Sequence, residues 1–336
     1  MLKTPFAQIQ PLYDEMARQM ADSRASIDGN AGRAAQIAAS IRETGRLVLL
    51  GMGGSHAVGR ILEPSYRALG IDAVAVTLSE QLDAPLPLDG TTVIVTSQSG
   101  ESAEVLRWFR EGHAPRDAFG LTMQGCSTLA GLAPCLVGAG GAETPFAATR
   151  SLTVTLALHA AVLAELGVSL GDVYGAMQAQ APDVGAAVTH LGTARCLVTS
   201  GRTAQGVAEA IALGLTELSR LPCFSLEGGQ LRHGPVEMLA PEVGVIFFRD
   251  ADASARHVTS LAQFVLDKSS SPVVVFDASG AAPIDGALTV PCHPAQGLAG
   301  AFSLLPAAQR FMVDFAASRL PDAGTPMRCT KVTTVE

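Results

Sequence analysis

The sequence predicts an α/β chain built from two tandem subdomains, each a parallel sheet flanked by helices, behind an N-terminal helical leader. Three observations carry that prediction. Short apolar, β-branched runs alternate with helical stretches along most of the chain, as expected where crossover helices join parallel strands. The alternation occurs twice, with a strand running into a glycine turn and a helix at Leu47-Val48-Leu49-Leu50-Gly51-Met52-Gly53-Gly54 and again about 149 residues later at Cys196 to Arg202. Hydrophobic residues make up 48% of the chain against 16% charged, with 34 glycines, which favours compact layers joined by tight turns over a disordered or coiled-coil chain.

The leader, residues 1–43, reads as helical from about residue 5, with Met16, Met20 and Ile27 spaced for one face and Gly29-Asn30 as a break. The first subdomain, 44–185, takes its strands from Arg46 to Leu50, Ala73 to Leu78, Thr92 to Thr96, Ala118 to Thr122 and Cys135 to Val137, with a helix over His56 to Leu69. Leu152 to Leu166 is apolar but interrupted by Thr153, Thr155, His159 and Glu165, and is too short to span a bilayer, so it reads as a buried helix. The second subdomain, 186–324, takes Cys196 to Gly201, Cys223 to Leu226, Val243 to Phe248, Val273 to Phe276 and Ala287 to Val290 as strands. Residues 325–336 form a C-terminal tail.

A net charge of -8 without clustered Lys and Arg argues against a nucleic-acid partner. The start, Met1-Leu2-Lys3-Thr4-Pro5-Phe6, lacks the apolar run of a signal peptide, and no membrane partner is expected. The six cysteines, at 126, 135, 196, 223, 292 and 329, include no CxxC pair, so neither a zinc site nor a redox motif is suggested and cytoplasmic thiols are the simplest reading.

The most informative segment is Ser97-Gln98-Ser99-Gly100-Glu101-Ser102, set directly behind the strand Thr92 to Thr96. Small hydroxyl residues and a glycine between a strand and a helix can aim several O–H and N–H donors at one anion, and phosphate is the obvious guest. Gly53-Gly54-Ser55 also follows a strand and precedes a helix, so both loops belong at the carboxyl edge of the sheet, where open α/β folds bind ligands. Neither GxGxxG nor GxxxxGKS is present, which argues against dinucleotide or Walker-type binding. The third strand of the second repeat ends instead in Arg249-Asp250-Ala251-Asp252, so only the first half keeps the cradle.

In the second half, Val207, Ile211, Leu215 and Leu218 form a core-facing helical stripe and Glu217 falls off it, a surface glutamate by default. His233 lies in Glu227-Gly228-Gly229-Gln230-Leu231-Arg232-His233-Gly234-Pro235, between a glycine-rich bend and a Gly-Pro turn. A loop histidine is often only an exposed polar residue, but this backbone is unusually constrained. Lys331 in the tail is by default solvated, and Arg150, which opens the buried helix, is more simply a structural charge than a ligand contact.

Taken together, Gly53-Gly54-Ser55, Ser97 to Ser102, the Phe146 to Arg150 stretch, Glu217 with Arg232-His233-Gly234-Pro235, and the tail Lys331 to Glu336 occur in the order found in the double sugar-isomerase (SIS) domain family. The chain resembles that family, and within it the isomerase half of glucosamine-6-phosphate synthase and the synthase-like deaminases. The resemblance implies that Ser97, Gln98, Ser99 and Ser102, with Gly53, Gly54 and Ser55 beside them, hold a sugar phosphate. It implies that Glu217 moves a proton between C1 and C2, that His233 helps open the sugar ring from across a homodimer interface, and that Lys331 closes over the site. Two positions depart from the synthase pattern. Ala148 stands where a ligand-contacting serine is expected, and Gly214 replaces a lysine three residues before the glutamate, which removes a cation from that helix face and is expected to leave space for substrate or water.

A glutaminase domain with its N-terminal cysteine is not expected, since the first cysteine is Cys126. The expected function is therefore an amino-sugar phosphate deaminase/isomerase converting glucosamine 6-phosphate to fructose 6-phosphate and ammonia in the cytoplasm, with a phosphorylated hexosamine or hexose as its partner. The alternatives are an aldose-ketose phosphosugar isomerase, a fructosamine 6-phosphate deglycase, or a non-catalytic sugar-phosphate-binding regulator. No metal or organic cofactor is expected, because a carboxylate and hydrogen bonds suffice for enediol proton transfer.

Overall fold

A computed structural model describes residues 9–333; the beginning of the predicted leader and the last tail residues, Thr334, Val335 and Glu336, lie outside the described residues. In chain order the elements are α1 (Gln10–Gly29), α2 (Ala31–Thr44), β1 (Arg46–Gly51), α3 (Gly54–Arg67), β2 (Asp72–Thr77), α4 (Leu78–Asp83), β3 (Thr92–Thr96), α5 (Ala103–Arg110), β4 (Ala118–Thr122), α6 (Thr128–Leu132), β5 (Cys135–Val137) and α7 (Arg150–Glu165). They continue with α8 (Gly171–Gln178), α9 (Gly185–His190), β6 (Cys196–Ser200), α10 (Gln205–Ser219), β7 (Cys223–Ser225), α11 (Gly228–Arg232), a 3₁₀ turn (Pro235–Met238), β8 (Val243–Arg249), α12 (Ala255–Lys268), β9 (Val273–Asp277), β10 (Leu288–Pro291) and α13 (Gly297–Arg319). The chain divides into two compact units, one of Glu15–Leu170 with the tail from Pro326, the other of the described residues up to Asp14 with Gly171–Thr325.

The first unit is built on a five-stranded parallel sheet of order β2-β1-β3-β4-β5. All five residues of β3, Thr-Val-Ile-Val-Thr, are buried, which is why it reads as a continuous run without alternation: helices cover both faces of the sheet. Val48, Leu50, Val93 and Val95 pack one face against Val105 and Trp108 of α5. On α7, every residue from Arg150 to Leu163 is buried. Its polar groups are satisfied within the protein: Thr155 Oγ1 donates to the Ser151 carbonyl at 2.7 Å, and His159 Nδ1 lies 2.9 Å from the Tyr66 hydroxyl. Burial pushes His159 down to about 3 and the Tyr66 phenol well above its ordinary range, so both are neutral in the core.

The second unit has a five-stranded parallel sheet of order β10-β9-β8-β6-β7. Read from its other edge, β7-β6-β8-β9-β10 reproduces the topology of the first sheet, strand for strand, and makes the approximate sequence repeat a structural one. Val198, Val245, Phe247 and Val275 pack one face against Val258, Leu261, Ala262 and Val265 of α12. Across from them, Phe248 stacks on Phe276, which meets Phe311 of α13 edge-on.

Two element limits differ from expectation, the start of α3 and the end of β8. Helix α3 starts at Gly54, before the predicted His56, so Gly54 and Ser55 belong to its first turn. β8 ends on Arg249 and is followed by Asp250, which is only 3% exposed. Its Oδ1 has no hydrogen-bond partner among the described residues, and α13 approaches so closely that a Cβ at Gly300 would stand 2.4 Å from that oxygen. Burial, with the charge of Asp252 adding to it, pushes the Asp250 carboxyl up to about 7. The folded state therefore binds this proton more tightly than the unfolded chain does, so the stability it contributes is full below about pH 4 and is lost as pH rises through about 7. Asp250→Asn is expected to remove that slope and to exceed the parent by about 2–4 kcal/mol at pH 8 while matching it at pH 4. Urea unfolding at the two pH values measures it, and an unchanged slope would show that Asp250 does not titrate there.

Candidate functional site

In the first unit the chain leaves β1 toward β2 on one side and later returns to β3 on the other. The β1–β3 boundary is therefore the point where strand order reverses, the position at whose carboxyl edge open α/β sheets bind ligands. Gly51 is the register partner of Thr96, so the Gly53-Gly54-Ser55 turn and the Ser97 to Ser102 loop spring from adjacent strand ends. The third contributor is Ala148: a Cβ on Gly54 would lie 3.7 Å from the Ala148 Cβ and 3.1 Å from Leu152 Cδ2. Glycine at 54 thus lets the first turn of α3 settle on the start of α7.

The Ser97 to Ser102 loop is wound on itself. Ser97 and Ser99 are buried. The Ser97 Oγ accepts from the Gly100 N–H at 3.1 Å and lies 3.0 Å from the Ser102 Oγ, while the Ser99 Oγ accepts from the Glu101 N–H at 3.1 Å. As an acceptor in that bond, Ser99 keeps its O–H proton for donation. The Gln98 carbonyl is held by the Met123 N–H at 2.9 Å and the Thr122 hydroxyl at 3.2 Å. Gly100 has φ +68°, and a Cβ there would collide with the Ser127 Oγ at 2.2 Å, so no other residue fits. The loop's one charged residue, Glu101, is turned onto α6, where its carboxylate accepts from the Thr128 N–H at 2.7 Å and hydroxyl at 2.8 Å. What remains is a neutral, donor-rich turn leading into α5, suited to an anion.

A buried residue that sequence reasoning missed ties this region together. Glu143 accepts at Oε1 from the Thr149 N–H at 2.9 Å, the Thr149 hydroxyl at 2.7 Å and the Arg150 N–H at 2.8 Å, which caps α7. Its Oε2 receives the Ser151 hydroxyl and lies 3.6 Å from Lys331 Nζ. The Gln98 side-chain amide reaches the Glu143 carbonyl at 3.5 Å. The only signal in the sequence was an acid a few residues ahead of a buried helix. Lys331 itself is held in this ion pair, with its side chain 22% exposed. The tail docks further through the Thr333 carbonyl, which accepts from the Ala103 N–H at the start of α5 at 3.0 Å.

Arg150 is wholly buried and paired with Glu15 and, at 3.2 Å, with Asp22; it also donates to the carbonyls of Ala139 and Gly141. Its role is to pin α7 to α1.

The second unit carries Glu217 and His233. Glu217 is half-buried in the last turn of α10, off the stripe formed by Val207, Ile211, Leu215 and Leu218. His233 is exposed and caps the C-terminus of α11, its N–H donating to the Gly229 carbonyl at 3.2 Å. Glu227 holds α11 in place: its carboxylate accepts from the Gly229 and Gln230 N–H groups at 2.7 and 3.2 Å and pairs with Arg202 at 2.7 Å. One expectation is corrected. Gly214 does not leave room for substrate or water, because a Cβ there would stand 2.2 Å from the sulfur of Met312 on α13. Helix packing claims that space.

Among the described residues no group of three or more His, Cys, Asp or Glu side chains is placed to hold a metal ion, and no helix is long and apolar enough to cross a membrane.

Two parallel sheets of identical topology, with a hydroxyl-rich loop at the switch point of the first, match the fold of tandem sugar-isomerase-domain structures. Solved structures share it along nearly the whole chain. The C-terminal domain of glucosamine-fructose-6-phosphate aminotransferase from Francisella tularensis superposes with a TM-score of 0.78 at 15% identity, covering 91% of this chain and 95% of that one. Tagatose-6-phosphate ketose/aldose isomerase from Escherichia coli gives 0.76 at 20% identity, covering 91% and 92%. Glucosamine-6-phosphate deaminase from Thermotoga maritima gives 0.67 at 18% identity, covering 93% and 98%. No protein-family model matches the sequence, and no curated protein matches it significantly. At these identities the likeness establishes the fold.

Proposed function

We propose that the protein is a cytoplasmic phosphosugar enzyme, an amino-sugar phosphate deaminase/isomerase that converts glucosamine 6-phosphate to fructose 6-phosphate and ammonia. The observation that carries this reading is the neutral, donor-rich Ser97 to Ser102 loop at the switch point, a fit for a sugar phosphate held through hydrogen bonds. Ser97, Gln98, Ser99 and Ser102 hold the phosphate, with Gly53, Gly54 and Ser55 forming the adjacent wall and Ala148 beside Gly54.

In the reaction, His233 assists ring opening to the free aldehyde. Glu217 takes the proton from C2 while the C1 carbonyl becomes an enol. Return of the proton to C1 leaves a hydroxymethyl group there and an imine at C2, which water hydrolyses to the ketone with release of ammonia. The exposure of His233 suits a residue that acts across the interface of a homodimer. Likeness to structures of both a glucosamine-6-phosphate deaminase and the C-terminal domain of a glucosamine-fructose-6-phosphate aminotransferase favours an amino sugar. Likeness to a tagatose-6-phosphate ketose/aldose isomerase supports a second reading, the same proton transfer without loss of nitrogen.

A panel of hexose and hexosamine 6-phosphates, scored for ammonia release and for ketose formation, separates the two. Ammonia and ketose in equal amounts from glucosamine 6-phosphate are expected; ketose without ammonia from neutral sugars assigns the isomerase, and neither product from any sugar phosphate overturns both.

A further inference from the structure

We infer that Glu143 is a positioning residue for the active site: its buried carboxylate holds Lys331, and through it docks the C-terminal tail against the start of α5. This rests on the reading of Lys331 as a site residue. The two carboxylate oxygens of Glu143 divide the work. Oε1 is saturated by the first turn of α7, with three donors from Thr149 and Arg150. Oε2 takes the Ser151 hydroxyl from that helix and turns its remaining capacity toward Lys331. A carboxylate fixed by four donors from a buried helix cannot follow a moving partner, so the ammonium comes to it and not the reverse.

Two residues beyond Lys331, the Thr333 carbonyl takes the Ala103 N–H, the first donor of the helix that the Ser97 to Ser102 loop opens into. The Gln98 amide links that same loop to the Glu143 main chain. Glu143 therefore touches the start of α7, the hydroxyl loop and the tail together. When the ion pair breaks, the tail loses its charged anchor and the Ala103 N–H loses its partner, which makes that amide a reporter independent of turnover.

The test uses Glu143→Gln, Lys331→Met and the double variant of the full chain, with hydrogen exchange at the Ala103 amide as readout. Glutamine keeps an oxygen for the α7 donors but presents an amide to Lys331, so the helix cap survives while the charge pair does not. Each single variant is expected to speed exchange at Ala103 about tenfold, and the double variant no more than either alone. Unchanged exchange in Lys331→Met, or effects that multiply in the double variant, would overturn the proposal. With a substrate identified by the sugar phosphate panel, Glu143→Gln is also expected to lower kcat in the parent and to leave it unchanged in the Lys331→Met background. A parent that turns over no sugar phosphate sinks the functional reading alone, since the exchange measurement still decides whether Glu143 holds the tail.

Discussion

Glu217→Gln is expected to lower kcat for ketose formation by about 10²–10⁴-fold, the range a positioned general base contributes, while affinity for the sugar phosphate stays within about threefold of the parent. The asymmetry follows from where the groups sit. The phosphate contacts of the proposed reaction all come from Ser97, Gln98, Ser99 and Ser102, on a loop fixed by hydrogen bonds to Met123, Thr122 and Thr128, none of which involves α10. Glu217 lies in the last turn of α10, half-buried beside the stripe that packs in the core, so exchanging its carboxylate for an isosteric amide removes the base without disturbing that stripe. Steady-state kinetics on the substrate from the panel, with calorimetric binding of the same sugar phosphate to the variant, measures both quantities. A drop of less than tenfold in kcat removes Glu217 from the proton transfer.

How much of this was legible in the sequence depended on how local the deciding physics is. The strands were readable almost to the residue because a parallel strand covered on both faces must be continuously apolar, and Thr92 to Thr96, Ala118 to Thr122 and Cys135 to Val137 coincide with β3, β4 and β5. The Ser97 to Ser102 loop was readable for a related reason: small hydroxyl residues directly behind such a strand make the turn rich in donors, whatever the rest of the chain does. The start of α3 differs from the sequence expectation because Gly54 and Ser55 are weak helix formers, and the packing of Gly54 on Ala148 and Leu152, far along the chain, decides where the helix begins. Gly214 illustrates the same limit. Its absent side chain looked like space for a ligand, and only the approach of Met312 on α13 shows which neighbour fills it. Glu143 escaped notice because a carboxylate that caps a helix from an irregular loop has no fixed spacing to the residues it caps, unlike a capping box.

Arg150→Ala is expected to destabilise the protein by about 3–5 kcal/mol, because it strips the buried donor from the carbonyls of Ala139 and Gly141 and leaves Glu15 and Asp22 with only the exposed Arg18 as a cationic partner. The guanidinium is 0% exposed and answers two carboxylates, Glu15 and Asp22, whose side chains are only 10% and 18% exposed. It also satisfies the carbonyls of Ala139 and Gly141. Arg150→Lys is expected to recover only part of the loss, since a single ammonium cannot reproduce the planar fork that serves Glu15 through Nε and the carbonyls through the terminal nitrogens. The decisive comparison is Arg150→Met combined with Glu15→Gln and Asp22→Asn. If the cost arises from uncompensated charge, neutralising both acids returns most of the stability despite removing a further two ionic groups. If it arises from lost packing at the start of α7, the triple variant stays as unstable as Arg150→Ala. Denaturant unfolding of the variants separates these outcomes, and a loss below about 1 kcal/mol in Arg150→Ala would mean that α1 and α7 are held by other contacts.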